Sequence, residues 1–360
     1  MQNMNAFEPM WATSPGATVL DLLQERGLAV GHLAKAVHRD VHEVSRLLYG
    51  LVPLDADWAE DLSRVLGATA SFWLRREDHY RADLKRLCLS ADKTPEWLDE
   101  LPFRDMVRFG WIDSGRTADE TLLNACAFLG VSTPKAFERK YERLLGAAAY
   151  RRSNAFKTNS AAVAVWLRQG EIEAASIDCQ PWDESKLITM LPEIRALTRI
   201  SDPDIFIPAL QKLMAVCGVA VIIARAPDGC RASGATRFLA QNKALIQLSF
   251  RYLADDQFWF TVFHEIGHLI LHSHGELFLE ELDERHSQAE TEADDFALRK
   301  LFEEVGVSAL DAVELNKFDI ARLAKRAGIS SGIVVGQLQN KKRIPYKHFN
   351  FMKVRYAWQE

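Results

Sequence analysis

A mostly α, α+β fold is what this sequence predicts, and three observations predict it. Apolar residues recur at helical period through about the first 150 positions, broken by glycine, proline and capping residues. Between Val219 and Ser249, short apolar runs bounded by turn residues read as strands. A long apolar run from Phe258 to His272 follows, with two histidines four apart, and a second helical segment trails it from Ala289 to Ala297. At 360 residues the chain exceeds one typical domain. It divides into a five-helix bundle at 1–81, a helical connector at 82–149, a core with a small antiparallel sheet at 150–310 and a basic helical tail at 311–360.

Hydrophobic residues make up 48% of the chain and charged residues 26%, so a sizeable core is available. A net charge of −5 provides no global attraction for nucleic acid or an anionic membrane. The five cysteines, Cys88, Cys126, Cys179, Cys217 and Cys230, are scattered, odd in number and lack a CxxC pair. They read as reduced thiols, which argues against a disulfide framework or a cysteine metal site. There is no basic-then-apolar leader and no run of membrane-spanning length, so the expected location is the cytoplasm.

In the bundle, Thr18 to Arg26 has helical period and stops before Gly27. His32 to Val37 and Val41 to Tyr49 form two further helices, with Asp40 placed to cap the second and Gly50 to end it. After a turn at Pro53, Asp57 to Leu66 and Ser71 to Tyr80 complete the five. The spacing from Leu33 to Val37 and from Val44 to Leu48 fits a helix-turn-helix, whose second helix is offered to the DNA major groove. Ser14-Pro-Gly16, Val44-Ser-Arg-Leu-Leu-Tyr-Gly50 and Leu66-Gly-Ala-Thr-Ala-Ser-Phe-Trp-Leu74 resemble the XRE-type helix-turn-helix family, HigA-like antitoxins in particular. The resemblance implies DNA contacts at Arg39, His42 and Arg46. It departs from the family pattern at His38-Arg39, where glycine and an aliphatic residue are usual. Glu43 would repel phosphates, although it could accept from a cytosine amine. Thr18 to Arg81 holds 8 basic against 10 acidic residues, so dimerisation or protein binding is the alternative role.

The connector reads as helices punctuated by Pro95, Pro102, Gly110 and Gly130 to Pro134, with its aromatics as core. A new unit is expected from Tyr150-Arg-Arg-Ser153, followed by a helix from Ala161 to Gln169. Val219 to Ala224 reads as a buried strand; Gly234 to Leu239 and Ala244 to Ser249 read as a hairpin across Gln241-Asn242. A sheet edge formed by Ala244 to Ser249 would hold an extended peptide through main-chain hydrogen bonds. Arg251 and Tyr252, just after it, are candidates to stabilise an oxyanion or contact substrate. Packing, or an ion pair with Asp255 or Asp256, is the alternative.

His264-Glu265-Ile266-Gly267-His268 decides the chemistry. On a helix His264 and His268 share one face and can grip one metal ion, with Glu265 beside it to take a proton from water. A metzincin would need a third histidine, and His274 has that spacing, but Leu271 replaces the glycine that would turn the chain. His272 lies further along the helix axis. The second helical segment offers Glu290 and Asp294, four apart beside an apolar face of Ala289, Ala293, Phe296 and Ala297. Glu290 is the expected third ligand, with Glu292 and the histidines as alternatives. Asp294 suits the N–H of a ligating imidazole. Gly234 to Leu239, Phe258 to His272 and Glu290 to Ala297 together resemble the ImmA/IrrE metallopeptidases. That resemblance implies a zincin-like core at about 150–345, zinc on His264, His268 and Glu290, Glu265 as general base, and a repressor-type protein as substrate.

Leu323 to Leu338 can be laid over Leu33 to Leu48 without a gap, and Gly328-Ile329-Ser330 supplies the turn sequence that the first copy lacks. Lys317 to Lys347 carries 8 basic residues against one acidic. Lys341, Lys342 and Arg343 are therefore the tail's candidate phosphate contacts, with bracing of the core as the alternative. The expected whole is a cytoplasmic transcriptional regulator, a homodimer joining operator DNA binding to zinc-dependent cleavage of a repressor or of itself. A non-proteolytic factor or antitoxin whose peptidase fold senses a ligand or metal is the alternative, and a separately encoded toxin is then a candidate partner.

Overall fold

The computed structural model describes residues 11–91, 94–149, 160–272, 277–281 and 287–358. The segment Tyr150 to Ser153 and His274 lie outside the described residues. The chain is mostly helical with one four-stranded sheet, the α+β class expected. It forms two compact units. The first comprises Met1–Gly146, Thr158–Asp178 and Pro227–Cys230; the second comprises Ala147–Lys157, Cys179–Ala226 and Arg231–Glu360.

Five helices open the first unit: α1 Pro15–Glu25, α2 Val30–Ala36, α3 Val41–Leu48, α4 Ala56–Leu66 and α5 Ala70–Leu89. Each apolar stripe turns inward, so that Val19, Leu33, Val44, Leu48, Trp58, Leu62 and Trp73 share one core. Side chains satisfy the free N–H groups at four helix starts: Ser14 accepts from Ala17, Asp40 from His42, Asp55 from Trp58 and Thr69 from Phe72. Helix α5 carries its stripe through Tyr80, Leu84 and Leu87 without a glycine or proline, so it runs across the expected boundary at residue 81. Then come α6 Thr94–Glu100, α7 Phe103–Arg108, α8 Ala118–Leu129, α9 Pro134–Ala149 and α10 Ser160–Ala175. Helix α10 is buried on almost every face and belongs to this unit, not to the metal-bearing core where the sequence put it. It packs on α3: the Ser45 hydroxyl donates to Ile172 O at 2.6 Å and the Tyr49 hydroxyl to Glu171 O at 3.4 Å.

The second unit starts with α11 Glu184–Leu197 and α12 Pro203–Ala215, then strands β1 Val219–Ile223, β2 Ala232–Ala240 and β3 Lys243–Leu248. Helix α13 Asp255–Leu271, strand β4 Phe278–Glu281 and helix α14 Gln288–Leu301 follow. Strand order is β1-β3-β2-β4. The β2–β3 hairpin and the β2–β4 pair are antiparallel, but β1 pairs with β3 in parallel, so the sheet is mixed and not antiparallel. The hairpin inserts β3 beside β1, and burial on both faces matches the mostly apolar sequences of the two strands, with Gln247 the buried polar exception in β3. Strand β3 is therefore interior and offers no edge to a peptide; β4 is the edge strand next to β2.

The tail holds α15 Ala309–Ala312, α16 Lys317–Ala327 and α17 Ser331–Asn340. Its turn repeats the α2–α3 turn position by position. Gly328 has φ 72° where His38 has φ 55°, and Ser330 caps α17 as Asp40 caps α3. The Ile329 N–H donates to Ala324 O at 3.1 Å, as the Arg39 N–H donates to Ala34 O at 3.0 Å. The second helices differ in what they carry. Gly332 and Gly336 stand where α3 has His42 and Arg46, and a Cβ at either would overlap the carboxylate of Asp255 or Asp256. The face of α17 matching a DNA-reading face is thus packed on α13.

Candidate metal centre

Helix α13 begins with Asp255 and Asp256, which favour a helix N-terminus. The Asp255 carboxylate accepts from Ser330 Oγ at 2.7 Å and Val354 N at 3.0 Å, and Asp256 accepts from Lys353 Nζ at 2.6 Å. The tail therefore fixes this end of α13. Phe258, Trp259, Val262, Phe263, Ile266 and Leu269 carry the helix into the core. Gly267 lets α14 approach, since a Cβ there would meet Ala293 Cα at 3.2 Å. Ser287 caps α14, accepting from Glu290 N at 3.3 Å, and Ala293 and Ala297 turn the acidic positions of α14 toward the histidines.

Three donor side chains converge. His264 Nε2 lies 3.0 Å from Glu290 Oε2 and 2.9 Å from His268 Nε2, which is 3.6 Å from Glu290 Oε1. All three donor atoms fall within 4.8 Å of one another. On the far side of the ring, His264 Nδ1 meets Asp294 Oδ1 at 2.8 Å, the contact that fixes an imidazole for ligation. His268 Nδ1 meets His272 Nδ1 at 3.1 Å, and His272 Nε2 meets Glu292 Oε2 at 3.2 Å. His272 and Glu292 thus hold the ligand cluster from outside. His272 sits four residues beyond His268, a spacing that could have revealed this role.

The electrostatics suit a cation. Burial opposes the charge on Glu290, but hydrogen bonds from His264 and His268 hold it well below the usual carboxylate range. Burial pushes the His268 imidazole down to about 4, which keeps it neutral, as a metal ligand must be. Burial likewise opposes charge on His264, but Asp294 and Glu290 raise its proton affinity well above normal. The cluster therefore attracts positive charge. Glu265 is fully buried and neither carboxylate oxygen has a hydrogen-bond partner among the described residues. Burial pushes its pKa up to about 8, against the pull of His264. Two imidazoles, one carboxylate and an unpartnered acid beside them are a donor set that fits a divalent metal.

The other expected site residues lie elsewhere. Arg251 and Tyr252 form the exposed turn after β3 and line a pocket with Ser233, Gln257 and Thr261. Asp255 and Asp256, their suggested partners, are engaged with the tail. Arg39 pairs with Glu43 at 2.8 Å and Asp61 at 3.2 Å and lies over the Trp58 ring. Arg46 reaches Gly110 O at 3.4 Å, and His42 is exposed at the start of α3. Arg343 donates to the carbonyls of Leu310 and Val313, Lys341 lies 3.5 Å from Asp311, and Lys342 is exposed. Gly234, Phe278 and Glu280, which wall the site from β2 and β4, were not legible as site residues.

Comparison with known families points the same way as the donor cluster, to a metallopeptidase-type domain. Residues 223–338, a span holding α13, α14, α16 and most of α17, match the family model described as the IrrE N-terminal-like domain, Peptidase_M78. No curated protein and no solved structure matches the chain. No helix among the described residues is long and apolar enough to cross a membrane.

Proposed function

We propose that this chain is a zinc-dependent endopeptidase acting on a repressor-type protein. The observation carrying it is the convergence of His264, His268 and Glu290 beside the buried, unpartnered carboxylate of Glu265. Zinc is the metal that two imidazoles and a carboxylate favour. When bound, it supplies Lewis acidity that polarises a peptide carbonyl and acidifies water. Glu265 takes the proton of the attacking water and delivers it to the leaving amide nitrogen. Asp294 holds the His264 ring in one orientation, and His272 does the same for His268. The choice of a repressor as substrate rests on the resemblance of the motif-bearing segments to the ImmA/IrrE metallopeptidases.

For the helix-turn-helix unit, a protein-contacting role is favoured over major-groove reading. The cover of α10 over Ser45 and Tyr49 supports it, as do the internal ion pairs of Arg39. The test of the enzymatic reading is Glu265→Gln in the full chain. Zinc content should be unchanged while cleavage of a repressor-type protein falls at least a hundredfold, on the scale of a lost general base. Undiminished cleavage would remove Glu265 from the reaction, whereas regulation that persists without any cleavage would favour a ligand- or metal-sensing role.

A further inference from the structure

The sheet turns one face toward α13, and two register pairs of β2 and β4 line the metal centre there: Thr236 with Phe278, and Gly234 with Glu280. Phe278 stacks on the His268 ring at 4.4 Å, and the Thr236 hydroxyl donates to Glu265 O at 3.4 Å. Side chains alternate along a strand, so Glu280 shares the Phe278 face while Leu279 is buried on the other. Opposite Glu280, Gly234 has no side chain, and the Glu265 carboxylate fills that room; a Cβ at 234 would overlap it. Glu265 and Glu280 thus meet the sheet at the same register pair.

Glu280 Oε2 is buried and has no hydrogen-bond partner among the described residues. The Glu280 side chain is half-buried, so one carboxylate oxygen is shut away unpaired while the residue stays within reach of an incoming group that could satisfy it. Proton transfer accounts for Glu265; it leaves Glu280 unexplained. Glu280 is not one of the three converging donors. Strand β4 also lies at the sheet edge, where an extended peptide adds by main-chain hydrogen bonds and directs alternate side chains to this face.

We propose that Glu280 determines specificity by receiving a cationic group of the substrate, an ammonium or guanidinium beside the bond to be cleaved. This rests on the peptidase reading above. The cation can be the substrate's free amino terminus or a Lys or Arg side chain, and both would make the same charge-assisted contact.

The test uses the full-length, zinc-loaded Glu265→Gln chain, which binds without cleaving, and fluorescently labelled hexapeptides. One set is N-acetylated with a single Arg walked along the sequence, a second has a free amino terminus and no Arg, and a third has neither cation. At least one cationic set should bind about tenfold tighter than the neutral set, the scale of one charge-assisted hydrogen bond. Which set does so identifies the source. Adding Glu280→Gln should erase the preference, and Glu280→Lys should transfer it to a Glu-containing peptide, with zinc content checking that each variant folds. Equal binding of all three sets, or a preference that survives Glu280→Gln, would overturn the proposal. Cationic preference in a wild-type chain that cleaves none of these peptides would instead refute the peptidase reading and leave the role of Glu280 standing.

Discussion

Glu265 depends on a residue that has no side chain. Gly234→Ala places a Cβ where the Glu265 carboxylate lies, and β2 cannot retreat because it pairs with strands on both sides. The expected outcome is zinc binding near wild type with peptide cleavage reduced about a hundredfold, measured by metal content and kcat/KM. The buried acid also makes a pH signature. Its folded-state pKa of about 8 exceeds the ordinary 4.5, so its contribution to stability is complete below about pH 4.5 and is lost as pH rises through about 8. In chelator-treated protein, Tm should fall between those values more for wild type than for Glu265→Gln, by the equivalent of a few kcal/mol. Parallel pH profiles would contradict it. At this scale much was legible, because HExxH and the Glu290–Asp294 pair are local spacings on helices. Gly234, Phe278 and Glu280 were not, since their place at the site is set by strand register between segments some 45 residues apart.

Helix α17 shows how one turn sequence can be used for two purposes. The α2–α3 and α16–α17 turns share caps and a left-handed residue, yet His42 and Arg46 of α3 are replaced by Gly332 and Gly336. Those glycines admit Asp255 and Asp256, which tie the start of the metal helix to Ser330, Val354 and Lys353. Gly332→Ala should therefore destabilise the second unit by about 1–3 kcal/mol, the range for an overfilled contact, seen as a lower urea midpoint. An unchanged midpoint would mean that α17 does not brace α13. The helices, caps and hairpin could be read from periodicity and turn chemistry. The parallel β1–β3 pair could not, because no local signal tells a hairpin which existing strand it will join. The cover of α10 over α3 escaped for a similar reason: an apolar helix announces burial but not its partner.

Across the whole molecule, charge is divided unevenly: a net −5 chain carries a segment with 8 basic residues against one acidic. Arg343 and Lys341 are partly engaged within the tail, but Lys317, Arg322, Lys325, Arg326, Lys342 and Lys347 are exposed. Any affinity of the intact chain for duplex DNA is expected to be sequence-indifferent and strongly salt-dependent. Changing Lys325, Arg326 and Lys342 to Gln should flatten the salt slope by up to about 3, and selection from random duplexes should enrich no motif. Enrichment of a motif would instead restore α3 as a reading helix. The central claim is that side chains from α13 and α14 form one metal centre, and zinc titration of the stripped full chain tests it most directly. The account predicts about one tightly bound zinc per chain in wild type and in Glu265→Gln, with binding lost in Glu290→Ala and kept in Glu292→Ala. Tight stoichiometric zinc in Glu290→Ala would contradict it.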